Sequence, residues 1–387
     1  MSQLKVNTIR HTSASSDAIT LASDGTATAK ITNNLSNRNL IINGAMQVAQ
    51  RATSSTDGNY KTLDRWKHNH GGTDENPTYA QIDLDSSDTG PWAKGFRKAF
   101  KFTNGNQTSG AGADDYLQVM QAIEAQNIAQ SGWDYTSSSS YITISFWIKS
   151  SVAQAFAGHL RTADGTSKSY SFSTGSLSAN TWTKVTKTIP GASGLQFDNN
   201  AAAGLYFYIF AFMGTNLTST FTTESWANAS STNYANDMTS TWWTTNDATL
   251  AITGVQLEVG DTATDFEHRS YGDDLAKCQR YYQIQEGNSD LHIQAGKGQG
   301  TTSVDVGHAL AVPLRAQPTI VCGANRVFMH NGYSDSTTTP TISSWDASKS
   351  IHSSVIPLNL GGHSSITSNY VCGWTPKSAA LTFEAEL

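Results

Sequence analysis

Between Tyr141 and Lys149 the chain alternates as a half-buried strand does. Ile142, Ile144, Phe146 and Ile148 fall on one parity, and Thr143, Ser145 and Lys149 on the other. A period of two marks a strand that buries one face and wets the other, and a helix cannot satisfy it. Leu205-Tyr-Phe-Tyr-Ile-Phe-Ala-Phe-Met213 is apolar on both parities and reads as a central strand covered on each side. From Ala248 to Val259 the apolar parity changes between Ile252 and Val255, so a bulge is expected at Gly254. Only 14% of the residues are charged, and the runs of Ala, Glu, Lys and Leu that build helices are scarce. Ser, Thr, Asn and Gly fill their place as strand and turn formers. The expected fold class is therefore all-β, built around a two-sheet jelly roll.

At 387 residues the chain is too long for one ordinary core. Residues 1–36 hold short strand-like pieces, Leu4-Lys-Val6-Asn-Thr8-Ile and Ile19-Thr-Leu21, with Asp24-Gly25 as a hairpin turn. They carry too few large apolar residues for a core and read as an extended docking segment that is ordered by a partner. Residues 37–265 form the central jelly-roll β-sandwich. Residues 266–285, with the charged stretch around Asp273–Tyr282, read as a helical connector. Residues 286–387 return to short strands among Gly and Ser turns and are expected to form a smaller C-terminal β-sandwich.

A net charge of −6 leaves no basic stripe for a phosphate backbone, which argues against nucleic acid as a partner. Cys278, Cys322 and Cys372 are far apart, fit no zinc spacing and read as free buried thiols. Met1-Ser-Gln-Leu-Lys5 lacks a secretion-signal pattern, and the longest apolar run, Leu205–Met213, lies between Gly204 and Gly214 and is too short for a bilayer. Neither secretion nor membrane insertion is expected.

Asp83, Asp85, Asp88 and Gly90 have the look of a calcium loop. The EF-hand glycine is misplaced, however, and Lys94 stands where the bidentate Glu belongs. No cofactor is expected, with room left for an irregular structural calcium. His68 and His70 share a strand face and read as solvated imidazoles. Arg65 beside Asp64, and Glu267 near Arg269, are expected to form partly buried ion pairs, and Leu63 and Trp66 to anchor the core. Asp114, Asp115 and Glu124 are the carboxylates that a glycan hydrolase would need as a pair across a sugar. Asp114 and Asp115 lie next to Gly110-Ala-Gly112 and read as a solvated loop, and this, with the absence of a nucleophile elbow or β-helix repeat, favours a protein that is not an enzyme.

Several segments resemble, in order, those of phage tail-fibre and receptor-binding proteins, including the proteins of marine cyanophages. They are Asn39-Leu-Ile-Ile-Asn-Gly44, Gln50-Arg51, Tyr60-Lys-Thr-Leu-Asp-Arg-Trp66, Thr143-Ile-Ser-Phe-Trp147, Gly254-Val-Gln-Leu-Glu-Val-Gly260, Phe266-Glu-His-Arg-Ser-Tyr-Gly272 and Cys278-Gln-Arg-Tyr-Tyr282. Val312-Pro-Leu-Arg315 and Pro318 look like the start of the C-terminal domain in the same proteins, so the likeness spans about residues 4 to 325. It implies a structural and adhesive virion protein with a carbohydrate-binding-module-like jelly roll. The expected assembly is a homotrimer docked on a phage tail or adaptor protein through residues 1–36 and attached to host cell-surface polysaccharide. A head fibre or tail accessory protein without receptor binding, and a glycan depolymerase, are the alternatives. Aromatic faces that stack on sugars are sought where loops expose them. Trp226, Tyr234, Trp242 and Trp243 in the Ser/Thr/Asn-rich stretch form one candidate set. Trp345 and Trp374, with His352 and His363, form a second at a distal tip.

Overall fold

The computed structural model describes residues 6–25, 27–29, 37–285, 294–329, 332–344, 350–366, 368–376 and 380–387. Strands β1 (Thr8–Ile9), β2 (Ile19–Leu21) and β3 (Ala27–Ala29) form a small antiparallel meander. Asp24-Gly25 makes the β2–β3 turn, with Gly25 at φ 88°. Val6, Ile9 and Leu21 remain exposed, so the described part of this segment has no core.

The next fifteen elements build the jelly roll. They are β4 (Ser54–Ser55), β5 (Lys67–Gly71), β6 (Thr78–Asp83), β7 (Lys98–Thr103), β8 (Tyr116–Glu124), helix α1 (Ala125–Ala129), β9 (Tyr141–Ser150), β10 (Ala155–Thr162), β11 (Lys168–Ser176), β12 (Thr183–Pro190), β13 (Ala203–Met213), β14 (Trp226–Asn228), helix α2 (Thr241–Thr244), β15 (Thr249–Val259) and helix α3 (Tyr271–Gln279), which leads out of it. Two six-stranded sheets, β14-β11-β10-β13-β8-β5 and β12-β9-β15-β7-β6-β4, enclose one core. The alternation of β9 puts Ile142, Ile144, Phe146 and Ile148 into that core, opposite Leu205, Phe207 and Ile209 of β13. Each such side chain contributes about 1.5–3 kcal/mol of burial. The β9–β15 register shifts between Thr253 and Gln256, and Gly254 sits in the shift at φ 63°. A Cβ there would lie 2.5 Å from the Phe96 ring, so sterics and backbone both require glycine.

Several of these segments meet where the chain enters and leaves the sandwich. Asn39 spans β15, donating to the Val255 carbonyl at 3.1 Å and accepting from the Leu257 amide at 3.1 Å. Gly44 is pressed against the Val255 carbonyl, where a Cβ has no room. Arg269 pairs with Glu267 at 3.1 Å and donates to the Asn39 carbonyl at 2.7 Å, closing the sandwich where the chain enters and leaves it. Arg65 and Asp64 do not form the expected pair. Arg65 lies 3.4 Å over the Tyr281 ring and pairs with Glu386, whereas Asp64 is held by Gln50 and Arg51. Neighbours in a tight loop point apart, so Asp64 is met by the nearby Gln50 and Arg51 and Arg65 by Glu386 far along the chain.

The second sandwich begins earlier than residue 286. Strand β16 (Tyr282–Gln285) directly follows α3 and belongs to its smaller sheet. The remaining strands are β17 (Gln294–Gln299), β18 (Ser303–Ala309), β19 (Thr319–Val321), β20 (Asn325–Met329), β21 (Gly332–Ser336), β22 (Thr341–Ile342), β23 (Val355–Leu360), β24 (Val371–Pro376) and β25 (Leu381–Glu384). Sheets β16-β25-β19 and β21-β20-β24-β17-β18-β23-β22 enclose Val304, Leu358, Trp374 and Phe383. The three cysteines are free and buried. No helix among the described residues is long and apolar enough to cross a membrane. The molecule is all-β, with a jelly roll followed by a smaller sandwich.

Candidate functional site

The candidate aromatics separate sharply. Trp242 and Trp243 are fully buried on α2, their indoles donating to the Thr249 carbonyl at 3.1 Å and the Gly110 carbonyl at 2.9 Å, with Trp243 packed on Phe212. The polar loop around them covers them, so neither ring has a face to offer a sugar, and the expectation for both is corrected. Trp374 is likewise sealed in the second core, and His363 is buried against Asn325. His352 is exposed but lies beside Arg280 and Val312 near the connector helix, away from any distal tip. Trp345 lies outside the described residues. Trp226 is partly exposed, yet it faces inward at the sheet edge, 5.3 Å from Tyr170 and bonded to the Pro190 carbonyl at 2.7 Å. Tyr234 alone stands on an outer face, 5.6 Å from His159 and 6.0 Å from Phe210.

That outer face belongs to the six-stranded sheet containing β13. Strand pairing places side chains across it in rows, because residues directly opposite in a sheet point the same way. One row runs Lys67, Met120, Tyr208, His159, Ser171, and the next runs Asn69, Gln118, Phe210, Ala157, Ser173. On the other side of the first lie Ala122, Tyr206, Arg161, Ser169 and Ala227. The loop carrying Tyr234 covers the β10 and β11 end of these rows, where the Ser171 hydroxyl donates to the Tyr234 carbonyl at 2.8 Å. Lys67, Asn69, Gln118 and Tyr206 remain partly exposed beside it, and Tyr208 is 8% exposed. The Tyr206 and Tyr208 phenols and the Gln118 amide have no hydrogen-bond partner among the described residues. The partly exposed Tyr206 ring can stack on a sugar, and the unspent phenol and amide groups beside it can bond its hydroxyls.

The opposite sheet offers less. Its outer face is covered by the 84–97 segment and by Phe266, which pack on Trp147, Ala99 and Ala251. On the open face the electrostatics are simple. Burial pushes the Tyr208 phenol up, so it stays a neutral donor. Burial also lowers His159 to about 3, which keeps its imidazole neutral against the Ser171 hydroxyl at 2.7 Å.

His68 and His70 face the other way. His68 is buried and stacked on Tyr79 at 3.9 Å, and His70 meets the Tyr79 hydroxyl at 2.9 Å. This corrects the reading of both as solvated, because the parity that takes them inward puts Lys67 and Asn69 outside. The suspected calcium carboxylates are engaged one by one: Asp83 by Lys98 at 2.6 Å, Asp85 by Ser87 at 2.7 Å, and Asp88 by Lys149 at 2.6 Å and Trp182 at 2.8 Å. No three His, Cys, Asp or Glu side chains converge as a metal-ligand set among the described residues. Asp114 accepts from Asn216 at 3.0 Å and Asp115 from the Gly112 amide at 2.5 Å. Glu124 is buried, and its burial is outweighed by Arg280 and Tyr281, which hold it ionised below the usual carboxylate range.

The aromatics that matter here were within reach of the sequence. Tyr206 and Tyr208 are the polar-tipped members of an otherwise apolar run, and they share one parity. Reading that run as apolar on both faces hid them.

No protein-family model matches the chain, and no curated protein does. Among solved structures it is similar to the enzymatically active domain of tailspike protein 4 from bacteriophage CBA120, at 11% identity and a TM-score of 0.30, over 57% of this chain and 21% of that one. A putative sugar binding protein from Bacteroides thetaiotaomicron matches at 11% identity and a TM-score of 0.31, over 58% of this chain and 100% of its own. The family 11 carbohydrate-binding module of a cellulosomal cellulase from Clostridium thermocellum matches at 12% identity and a TM-score of 0.26, over 56% and 98%. The chain thus spans about a fifth of the tailspike structure's own length.

Proposed function

We propose that this protein is an adhesive virion component, a tail fibre that attaches to host surface glycan through the outer face around Tyr206 and Tyr208. The observation that carries the reading is that face: a row-ordered, half-walled surface with the partly exposed Tyr206 ring and unspent phenol and amide groups beside it. The virion assignment rests on the ordered set of segments resembling phage fibre proteins. Residues 1–36, which leave Val6, Ile9 and Leu21 exposed in their described part, supply the docking end. Three copies on one fibre would multiply a weak site by avidity.

Binding of the purified protein to a panel of bacterial surface polysaccharides tests the site. Tyr206→Ala is expected to weaken binding about fivefold, corresponding to roughly 1 kcal/mol for a lost aromatic face, without release of reducing ends. Unchanged binding by Tyr206→Ala would remove this face from the proposal, and appearance of reducing ends would make the protein a depolymerase. Light scattering is expected to give a trimer mass, and a monomer at micromolar concentration would contradict that part.

A further inference from the structure

We infer that the glycan taken by this face is acidic, carrying sugar carboxylates that Arg161 and Lys67 meet; this rests on reading the face as a glycan site. The three outward rows contain Lys67 and Arg161 and no Asp or Glu. Elsewhere on the strands Lys98 pairs with Asp83, Lys149 with Asp88, Lys187 with Glu224 and Arg326 with Asp335, while Lys101, Lys168, Lys184 and Lys297 have no such partner among the described residues, so what marks this face is two cations together with no acid in its rows. Neither Lys67 nor Arg161 has an ion-pair partner among the described residues.

Arg161 is also aimed. Its Nε donates to the Ser167 hydroxyl at 3.2 Å and one terminal nitrogen to the Tyr234 hydroxyl at 3.4 Å, which fixes the plane and leaves other N–H groups unspent. A fixed guanidinium fork fits a planar carboxylate better than a lone hydroxyl. Lys67 stands across the face with its ammonium 5.9 Å from the Tyr60 ring. Three strand spacings separate their backbones, about 14 Å, with Tyr206 and Tyr208 on the strand next to Arg161. A chain of sugars crossing the strands would meet a cation at each end and aromatic rings near the Arg161 end. His159 is neutral and adds no charge. The nearest acid on the covering loop, Asp237, stands by Ala157 and Ser171 at the rim and accepts from Thr218 at 3.0 Å.

The test uses the full chain with polygalacturonate, alginate and hyaluronate, each beside its carboxyl-reduced neutral form. The acidic forms are expected to bind at least about tenfold more tightly than the reduced forms, with affinity falling as salt rises. Arg161→Gln is expected to lose about tenfold on acidic glycans, and Lys67→Gln several-fold, with melting temperatures near wild type. Tyr206→Ala should weaken both forms. Equal binding of acidic and reduced forms, or no effect of Arg161→Gln, overturns the charge preference and leaves the glycan face standing. Acidic binding that survives Tyr206→Ala unchanged places the attraction elsewhere on the surface and overturns the inference. Failure to bind any glycan overturns the glycan reading itself, and this inference with it.

Discussion

At the scale of single residues, burial rather than residue type decides which aromatics can act. Trp242 and Trp243 have no exposed surface, so replacing either by Ala should cost about 3–5 kcal/mol of stability. A thermal melt should show a large drop for both and only a small one for Tyr206→Ala. Equal melting temperatures would mean that the tryptophans are not core. Tertiary burial is what the local composition could not report, because a Ser/Thr/Asn-rich stretch is as able to roof a core as to present a site. The histidines supply a second prediction. Burial lowers His68 and His159 to about 3, so the unfolded chain binds more protons than the folded one between that value and about 6.5. Stability is therefore fully present above 6.5 and falls as pH drops, by about 1.4 kcal/mol per pH unit for each histidine. Asp64, raised by burial to about 6, takes up its proton on folding and opposes this between 3.8 and 6. His308, lowered by burial to about 4, adds to the same side, so three histidines outweigh one carboxyl and the unfolding free energy should fall by about 4 kcal/mol from pH 7 to pH 5. A flat profile in denaturant titrations over that range would contradict the neutral, buried imidazoles.

At the scale of elements, periodicity was the most legible signal. The β9 alternation, the Gly254 bulge and the Asp24-Gly25 turn all appear where the residues put them. What the pattern could not convey was which parity faces out when both are apolar, as in β13, or when polar and ionisable residues mix, as in β5. Those choices depend on which sheet a strand joins, and that is a long-range fact. The segment carrying β1–β3 gives the element-scale prediction. Its described strands are two or three residues long and expose Ile9 and Leu21, so removing residues 1–36 should leave the jelly-roll melting temperature within about a degree. On the virion role proposed above, particles grown with the truncated gene should lack the protein by gel analysis. Full incorporation would place docking elsewhere.

At the scale of the whole molecule, the two sandwiches are joined by buried charge. Glu124 accepts from Arg280 at 2.9 and 3.0 Å and from the Tyr281 hydroxyl at 2.6 Å, and Arg315 donates to the Ala201 carbonyl at 2.7 Å and the Ala385 carbonyl at 2.6 Å. Arg51 lies 3.6 Å over Tyr282 and meets Glu386 at 3.2 Å. Nothing in the spacing of Glu124 and Arg280 announces their pairing, since 156 positions separate them. Arg280→Leu strands a buried carboxylate and should cost about 3–5 kcal/mol, splitting one calorimetric transition into two, whereas Glu124→Gln with Arg280→Leu should recover part of the loss. A single variant that melts like wild type would show that the junction does not couple the domains. Such a junction ties the jelly roll that carries the open face to the second sandwich. The proposal that this face binds glycan is tested most directly by hydroxyl-radical footprinting with the tightest-binding polysaccharide. Oxidation of Tyr206 is expected to fall on binding while the exposed Tyr333 and Tyr370 of the second sandwich are unchanged; protection of Tyr333 and Tyr370 with Tyr206 still oxidised would contradict the account.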